Sequence, residues 1–484
     1  MKKVLLFFAL CFPMMNLYAD EATKVKSKKQ REVDDKSPKQ PEPDFIPQNT
    51  PQQTKSFEVR TFREAVAEAY KNNIQLQLGR QDKNRADLEL TKAKMSFLPS
   101  LEANLKTTRT KNELESSQKN NKEDKFETDT TMGLTLRQNL FAGLRTMNTV
   151  KGQSNKSRAE YYKLKNTEQE LIEKVMEAYA DVCFHRECLK ARLQKESNLK
   201  SVWESQQSML ESGVGTPADV ASAHSNYEKA RFERIKELSD LTSSEAKFLE
   251  CTGRRLATDA DFPSLKIDLP KDLDTFLRQA SVNNAKILQC KFEEKVAEYN
   301  LKVAKGKLSP TCDVSLTRQR NLTKPGPPDS NDYYKSRNTN EATLNVTVPI
   351  FSNSGGDYLD IRIASEDLMK ARFSSEDAMT TTKKESVVAW NEYISAGAME
   401  KSCRSTLNSA RLSSDSYREE GKYGNKSNTE ILDEENKLLD AKINLADSKK
   451  RRSVSGIKIL YYAGKLDFKD IVPDSPPPKN TRKM

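Results

Sequence analysis

The chain has 484 residues, enough for two or three ordinary domains, and carries a formal charge of +11. Charged residues reach 31% and aromatics only 7%, with 16 glycines and two histidines, which excludes a thick aromatic core and suits apolar stripes buried along long helices. The basic excess fits solvated helix faces, and no nucleic-acid partner is expected.

Residues 1–19 read as a secretory signal: Lys2 and Lys3 form the basic start, Val4–Pro13 the apolar stretch, and Leu17-Tyr18-Ala19 a cleavage site before Asp20. Their removal lowers the charge to +9. Cys11 follows Leu10, where a lipoprotein signal wants a small residue, so no lipid anchor is expected. Residues 20–56, dense in Lys, Gln and Pro, predict a disordered leader. No later run approaches the length of a membrane-spanning helix. A mature chain that crosses a membrane must therefore do so with strands.

Residues 61–97, rich in Ala, Leu, Lys and Glu, predict a helix, and Pro99 marks its exit. Leu101, Ala103 and Leu105 then alternate with polar residues, as do Met132, Leu134 and Leu136, which predicts two strands with one apolar face (about 99–111 and 127–141). The polar stretch 112–125 between them reads as a loop. From about residue 144 to 210 there is no proline and a single glycine. Leu164, Leu171, Val175, Ala178, Val182, Leu189 and Leu193 form an apolar seam along what would be a rod about 100 Å long. A partner helix after Thr216 carries Val220, Ala223, Tyr227 and Ala230 on one face.

The same order then recurs at an offset of 211 residues. Ala69-Tyr70-Lys71-Asn72-Asn73 returns as Ala280-Ser281-Val282-Asn283-Asn284, and Ala93-Lys94 with Pro99 as Ala304-Lys305 with Pro310. Gly213, Thr216, Asp219 and Val220 return as Gly424, Ser427, Glu430 and Ile431. Near the strands the offset slips to 210, where Asn139-Leu140-Phe141 meets Pro349-Ile350-Phe351. This is a duplication rather than a solenoid, with a first repeat over 57–267 and a second over 268–471. The second repeat predicts strands at about 310–320 and 341–351, a loop at 321–340, and a last helix carrying Ile431, Leu438, Ala441 and Leu445. Residues 472–484, with Pro476-Pro477-Pro478, predict a disordered tail.

Four amphipathic strands cannot close around a channel, and an open sheet edge in hydrocarbon leaves unpaired backbone groups at several kcal/mol each. A membrane reading therefore requires strands from other copies. The soluble alternative is a four-stranded sheet packed on the helices.

Six cysteines remain after the signal, at 183, 188, 251, 290, 312 and 403, in no compact disulfide framework. Cys183-x-His185-x-x-Cys188 suggests a metal, but residues two apart on a helix point to opposite sides, so half-buried packing is the plainer account. Neither a nucleophile elbow, a phosphate loop nor a clustered ligand set appears, so no enzyme, cofactor or metal is expected. A periplasmic coiled-coil scaffold or adaptor without a pore explains the helices, though not two pairs of alternating strands.

Over most of residues 57–466 the chain resembles the TolC-like outer-membrane factors. It shares the doubled unit, the Ala-rich helix with paired asparagines, Leu98-Pro99-Ser100-Leu101 at the entry to a strand, and the Gly–Thr/Ser–Asp/Glu turns between long helices. The resemblance implies a mainly α fold with a small β-barrel. It implies a homotrimer whose 12 strands span the outer membrane of a Gram-negative bacterium above a helical periplasmic tunnel. It further implies an exit duct for efflux or type I secretion, working with outer-membrane lipid, a periplasmic adaptor and an inner-membrane pump; cargo is not encoded. By motif, Gly213-Val214-Gly215-Thr216 and Gly424-Asn425-Lys426-Ser427 become the tip turns where an adaptor docks. Asp219, Glu430 and Asp433 become gate acids, with Lys426 as their basic partner. Gly421 stands where the family's gate aromatic is expected, with Tyr423 nearby but differently directed. Asp219 and Glu430 can equally be read as capping residues of their helices.

Overall fold

A computed structural model describes residues 58–114, 123–263, 272–325, 333, 335–351 and 353–471. The signal, the leader and the tail all lie outside the described residues. The first repeat runs α1 (Phe62–Asn72), α2 (Ile74–Met95), β1 (Ser100–Leu114), β2 (Glu123–Ala142), α3 (Arg145–Glu211) and α4 (Pro217–Thr252). The second runs α5 (Leu273–Asn283), α6 (Ala285–Gly306), β3 (Thr311–Pro325), β4 (Lys335–Thr347), α7 (Gly356–Lys422) and α8 (Asn428–Tyr462), with a short α9 (Phe468–Ile471) at the end. Both α3 and α7 have 67 residues, about 100 Å each.

The expected continuous helix over 61–97 is two helices, and the paired asparagines explain the break. Asn73 has extended backbone (φ −69°, ψ 121°), ends α1, and accepts the Leu76 amide on its side chain to start α2. Asn284 does the same between α5 and α6, accepting from Lys286 and Ile287.

α3 is the central rod, packed along α2, α4, α6 and α8, while α7 packs on α5, α6 and α8. Its seam is buried at Leu171, Val175, Ala178 and Val182, where α1 contributes Phe62 and Val66, α4 Phe248 and α8 Ile457. Leu193 departs from the expected seam and is exposed. Near its middle, the buried Tyr179 lies edge-on to both Phe62 and Phe248, its hydroxyl directed at the Arg60 and Asp261 carbonyls at 3.1 Å each. A smaller core gathers Phe276, Ala389, Tyr393, Ile459 and Ala463 from the second repeat.

The four strands form one antiparallel sheet in the order β1-β2-β3-β4. The strands exceed their expected bounds at the ends away from the helices. Asn112 pairs with Lys125 and Leu114 with Glu123 inside the stretch expected as a loop, and Asn321–Pro325 and Lys335–Asn340 likewise belong to β3 and β4. Cross-strand pairing satisfies the backbone there whatever the side chains, so polarity alone misplaced the turns. β4, in contrast, stops at Thr347 instead of 351, because Pro349 has no amide to offer the ladder.

Register assigns each strand residue to one of two walls. One wall carries Leu101, Ala103 and Leu105 beside Leu136, Leu134 and Met132, and Leu316, Val314 and Cys312 beside Ala342, Leu344 and Val346. The opposite wall is mainly polar, with Asn104, Thr131, Thr135, Thr317 and Thr343 among its residues and Leu114, Gly133 and Pro325 as exceptions. Leu101, Leu105, Leu134, Leu344 and Val346 are all exposed.

Candidate functional site: the helical tips

At the ends of α3 and α7 farthest from the sheet, both long helices stop in the same way. The Val214 amide donates to the Met209 carbonyl and the Gly213 amide to Leu210. In the second repeat, Asn425 donates to Glu420 and Gly424 to Gly421. This paired pattern requires a left-handed residue at its corner. Gly213 and Gly424 supply it, at φ 77° and 75°.

Each turn leads directly into a capped helix. Thr216 accepts the Asp219 amide at 3.2 Å while its hydroxyl donates to the Asp219 carboxylate at 2.7 Å. Ser427 and Glu430 form a reciprocal box: the Glu430 amide donates to Ser427 Oγ, and the Ser427 amide to Glu430 Oε2 at 2.9 Å. Lys426 Nζ reaches Glu430 Oε1 at 3.3 Å and lies 4.6 Å from the centre of the Tyr417 ring. The Ser427 amide, then its hydroxyl, then Lys426 hold the Glu430 carboxyl below its usual range, and Glu430 raises Lys426 in return.

The two acids beyond the turn therefore differ. Glu430 is engaged within its own chain by a cap and a cation. Asp433 is exposed and has no ion pair or hydrogen bond among the described residues. Val214 and Tyr423 project into open space at the two tips, and Thr216, Asn425 and Ser427 are largely exposed beside them, apart from the half-buried Lys426 and Gly215.

Gly421, where an aromatic was expected, has a local reason. A Cβ at this position would fall 2.4 Å from Ile431 Cδ1, so Ile431 of α8 occupies the space a side chain would need.

Sequence reasoning missed the residues that hold each helix pair together behind the turns. In the first, Trp203 stacks on Tyr227 with ring centres 5.6 Å apart and meets His224 at 4.9 Å. In the second, Arg418 reaches the Glu435 carboxylate through both Nε and a terminal nitrogen, at 2.8 and 2.6 Å, and Ser413 donates to Glu434 at 2.7 Å. Trp203, one of two tryptophans in the chain, was the available signal. The cysteine–histidine motif stays dispersed: His185 pairs with Glu237 at 2.7 Å, whereas the Cys183 thiol faces the Ala260 carbonyl at 3.8 Å.

The family model for outer membrane efflux proteins matches residues 65–254, from α1 through the first tip to the turn after α4. The outer membrane efflux protein BepC of Brucella suis is 25% identical over 406 residues, covering 84% of this chain and 86% of that one. Over these spans the chain is similar to the outer membrane efflux proteins. The alkaline protease secretion protein AprF of Pseudomonas aeruginosa is 23% identical over 317 residues, 64% of each chain. The solved outer membrane channel CmeC of Campylobacter jejuni shares the fold at a TM-score of 0.70 and 15% identity, covering 85% of this chain and 88% of that one. The chain is TolC-like, an outer-membrane exit duct of a Gram-negative bacterium.

Proposed function

We propose that three copies of this chain assemble into one duct, each giving four strands to a 12-stranded barrel and two helix pairs to a periplasmic tunnel. The observation that carries this reading is the open sheet. β1 and β4 are both edges, and the wall between them is apolar and exposed, a combination that hydrocarbon tolerates only if neighbouring strands seal the edges. The polar wall then lines the lumen. Its described acids (Glu102, Glu127, Asp129, Asp313, Glu341) nearly balance its bases (Lys106, Arg137, Lys335, Arg337), so the barrel itself exerts little charge selection.

Selection falls instead to the tips. We place Asp219, Glu430 and Asp433 around the constriction, where three symmetry copies of each carboxylate would repel one another and attract cations. Lys426 offsets Glu430 within its own chain, which leaves Asp433 as the strongest contributor to the field. The turns Gly213–Thr216 and Gly424–Ser427 dock a periplasmic adaptor that couples the duct to an inner-membrane pump. No catalytic step is assigned. Cargo, whether small molecules or a secreted protein, is set by that pump.

Assembly is tested by the mass of the detergent-purified protein, expected at three chains; a monomer soluble without detergent would overturn the reading. The gate is tested by single-channel recording of Glu430→Ala with Asp433→Ala. The expected result is a higher conductance and a weaker block by divalent cations, and no change in either would remove these residues from the gate.

A further inference from the structure

The apolar wall of the sheet does not end at one level. Moving away from the helices, its continuous run ends at Leu105 on β1, Met132 on β2, Leu316 on β3 and Ala342 on β4, with Phe126 and Leu322 recurring singly farther out. Leu105 is paired with Met132 and Leu316 with Ala342, yet Met132 is paired with Arg320. The edge therefore steps by four residues between β2 and β3. Tilted strands produce such a step, because a membrane boundary cuts each strand at a different residue.

Immediately beyond that edge the wall changes character. Arg318 and Arg320 follow Leu316 on β3, with Asn340 and Asn338 opposite them on β4. Arg109, Lys111 and Lys324 lie further out on the same wall. The nearer carboxylate-bearing residues (Glu102, Glu127, Asp129, Asp313, Glu341) belong to the other wall, while Glu113 and Asp124 share this one, paired at the far ends of β1 and β2. Neither Arg318 nor Arg320 has a carboxylate partner among the described residues; Arg320 Nε donates to Ser336 Oγ at 3.3 Å. Residues two apart on a strand lie roughly 6–7 Å from one another, and their cross-strand partners roughly 5 Å away. The four side chains thus bring guanidinium and amide donors to one spot. A depression of about 470 Å³ adjoins them, lined on this wall by Ala103, Leu105, Met132, Leu134, Arg318 and Arg320 and also reached by Asn104, Gly133 and Gln319 of the other.

We infer that this spot is a binding site for the phosphate groups of an outer-leaflet glycolipid, with an acyl chain lying along the Leu105–Met132–Leu134 surface. The inference rests on the duct reading, which makes this wall the membrane-facing one and its outer end the external leaflet. Two guanidiniums without an acid partner at a hydrocarbon edge are costly unless they reach an anionic headgroup. A phosphate, with its several acceptor oxygens, matches a fork of donors that has no acceptor of its own. The apolar lining beside the arginines favours a lipid over free phosphate.

The test is native mass spectrometry of the full chain in detergent, with bis-phosphorylated lipid A as the probe. R318Q/R320Q should weaken binding roughly ten-fold or more, and Lys at both positions should retain most of it. R337Q, the same change on the opposite wall, should leave binding unaltered. Lipid A stripped of both phosphates should bind weakly and equally to all variants, and inorganic phosphate at matched concentration should not displace the lipid. Undiminished binding in R318Q/R320Q, or equal binding of the dephosphorylated lipid, would overturn the site while leaving the duct intact. Loss of the protein from carbonate-washed membranes would instead overturn the duct reading itself.

Discussion

The two glycine corners allow a quantitative test, because the structure separates their backbone cost from any steric one. At Gly213 and Gly424 an added Cβ would meet nothing within 4 Å, so an alanine there pays only for the left-handed backbone. That cost is about 1–2 kcal/mol for an L-residue, which raises the local opening equilibrium about 5- to 30-fold. Asparagine visits this conformation far more readily and should fall well short of that. Gly215 is the contrast: its Cβ would lie 2.9 Å from the Leu210 backbone nitrogen and 3.2 Å from the Met209 carbonyl carbon, and neither atom can rotate away. Asparagine should therefore give no relief at 215. The assay is hydrogen–deuterium exchange at neutral pH, read at the Val214 and Asn425 amides that close the two turns. The expected order of exchange at the first tip is wild type, then Gly213→Asn, then Gly213→Ala, with Gly215→Ala and Gly215→Asn both high. Equal effects of Ala and Asn at 213 would refute the reasoning, since they would place the cost somewhere other than the backbone.

Glu430, held below its usual 4.5 chiefly by the Ser427 amide, should protect the second tip at neutral pH and down to about 4.5, with protection lost as pH falls through its lowered value. Exchange of the Ser427 amide measures this, and Glu430→Gln should abolish the pH dependence. Burial pushes the Cys183 and Cys188 thiols up to about 12, leaving roughly one molecule in ten thousand as thiolate at pH 8. A maleimide should label both only in denaturant, and rapid labelling of the folded protein would contradict their placement. The second helix pair, clamped by Arg418–Glu435, should exchange faster around residues 417–437 as salt rises from 0.1 to 1 M, whereas the Trp203–Tyr227 stack should leave residues 203–227 unaffected.

Much of this architecture was legible because the residues that direct it act locally. A Gly at a helix end, a Ser or Thr after it and an acid three residues further on fix the tip turns through nearest-neighbour hydrogen bonds, and duplication presents that text twice. The alternation of Leu101, Ala103 and Leu105 depends only on which wall each residue faces. The break at Asn73 and Asn284 was equally local but was hidden by strong helix formers on either side. The hairpin ends went astray for the opposite reason. Beyond the apolar band, pairing partners come from another strand, and polar sequence carries no sign of them. The clamp residues Arg418, Glu434 and Glu435 were invisible in the same sense, since exposed charges on a helix look alike until the partner helix is in place.

Duplication also explains why the two tips are unlike. Equal helix lengths in the two repeats bring both turns to equivalent ends of their rods, so the lengths are constrained together. The turn residues are not. Leu210 in the first repeat corresponds to Gly421 in the second, and Gly215 to Lys426. The first turn must keep Gly215 bare because the Leu210 backbone crowds it. The second can carry Lys426, and the space freed at Gly421 is taken by Ile431. The two differences have separate consequences. Lys426 puts a cation beside Glu430 in the second turn only, and Gly421 leaves room for Ile431 of α8 under the end of α7. A duct built from such chains would present two chemically different tips in alternation, one with exposed Val214 and no basic residue in its turn, the other with Lys426 paired to Glu430. An adaptor that docks there need not recognise both in the same way.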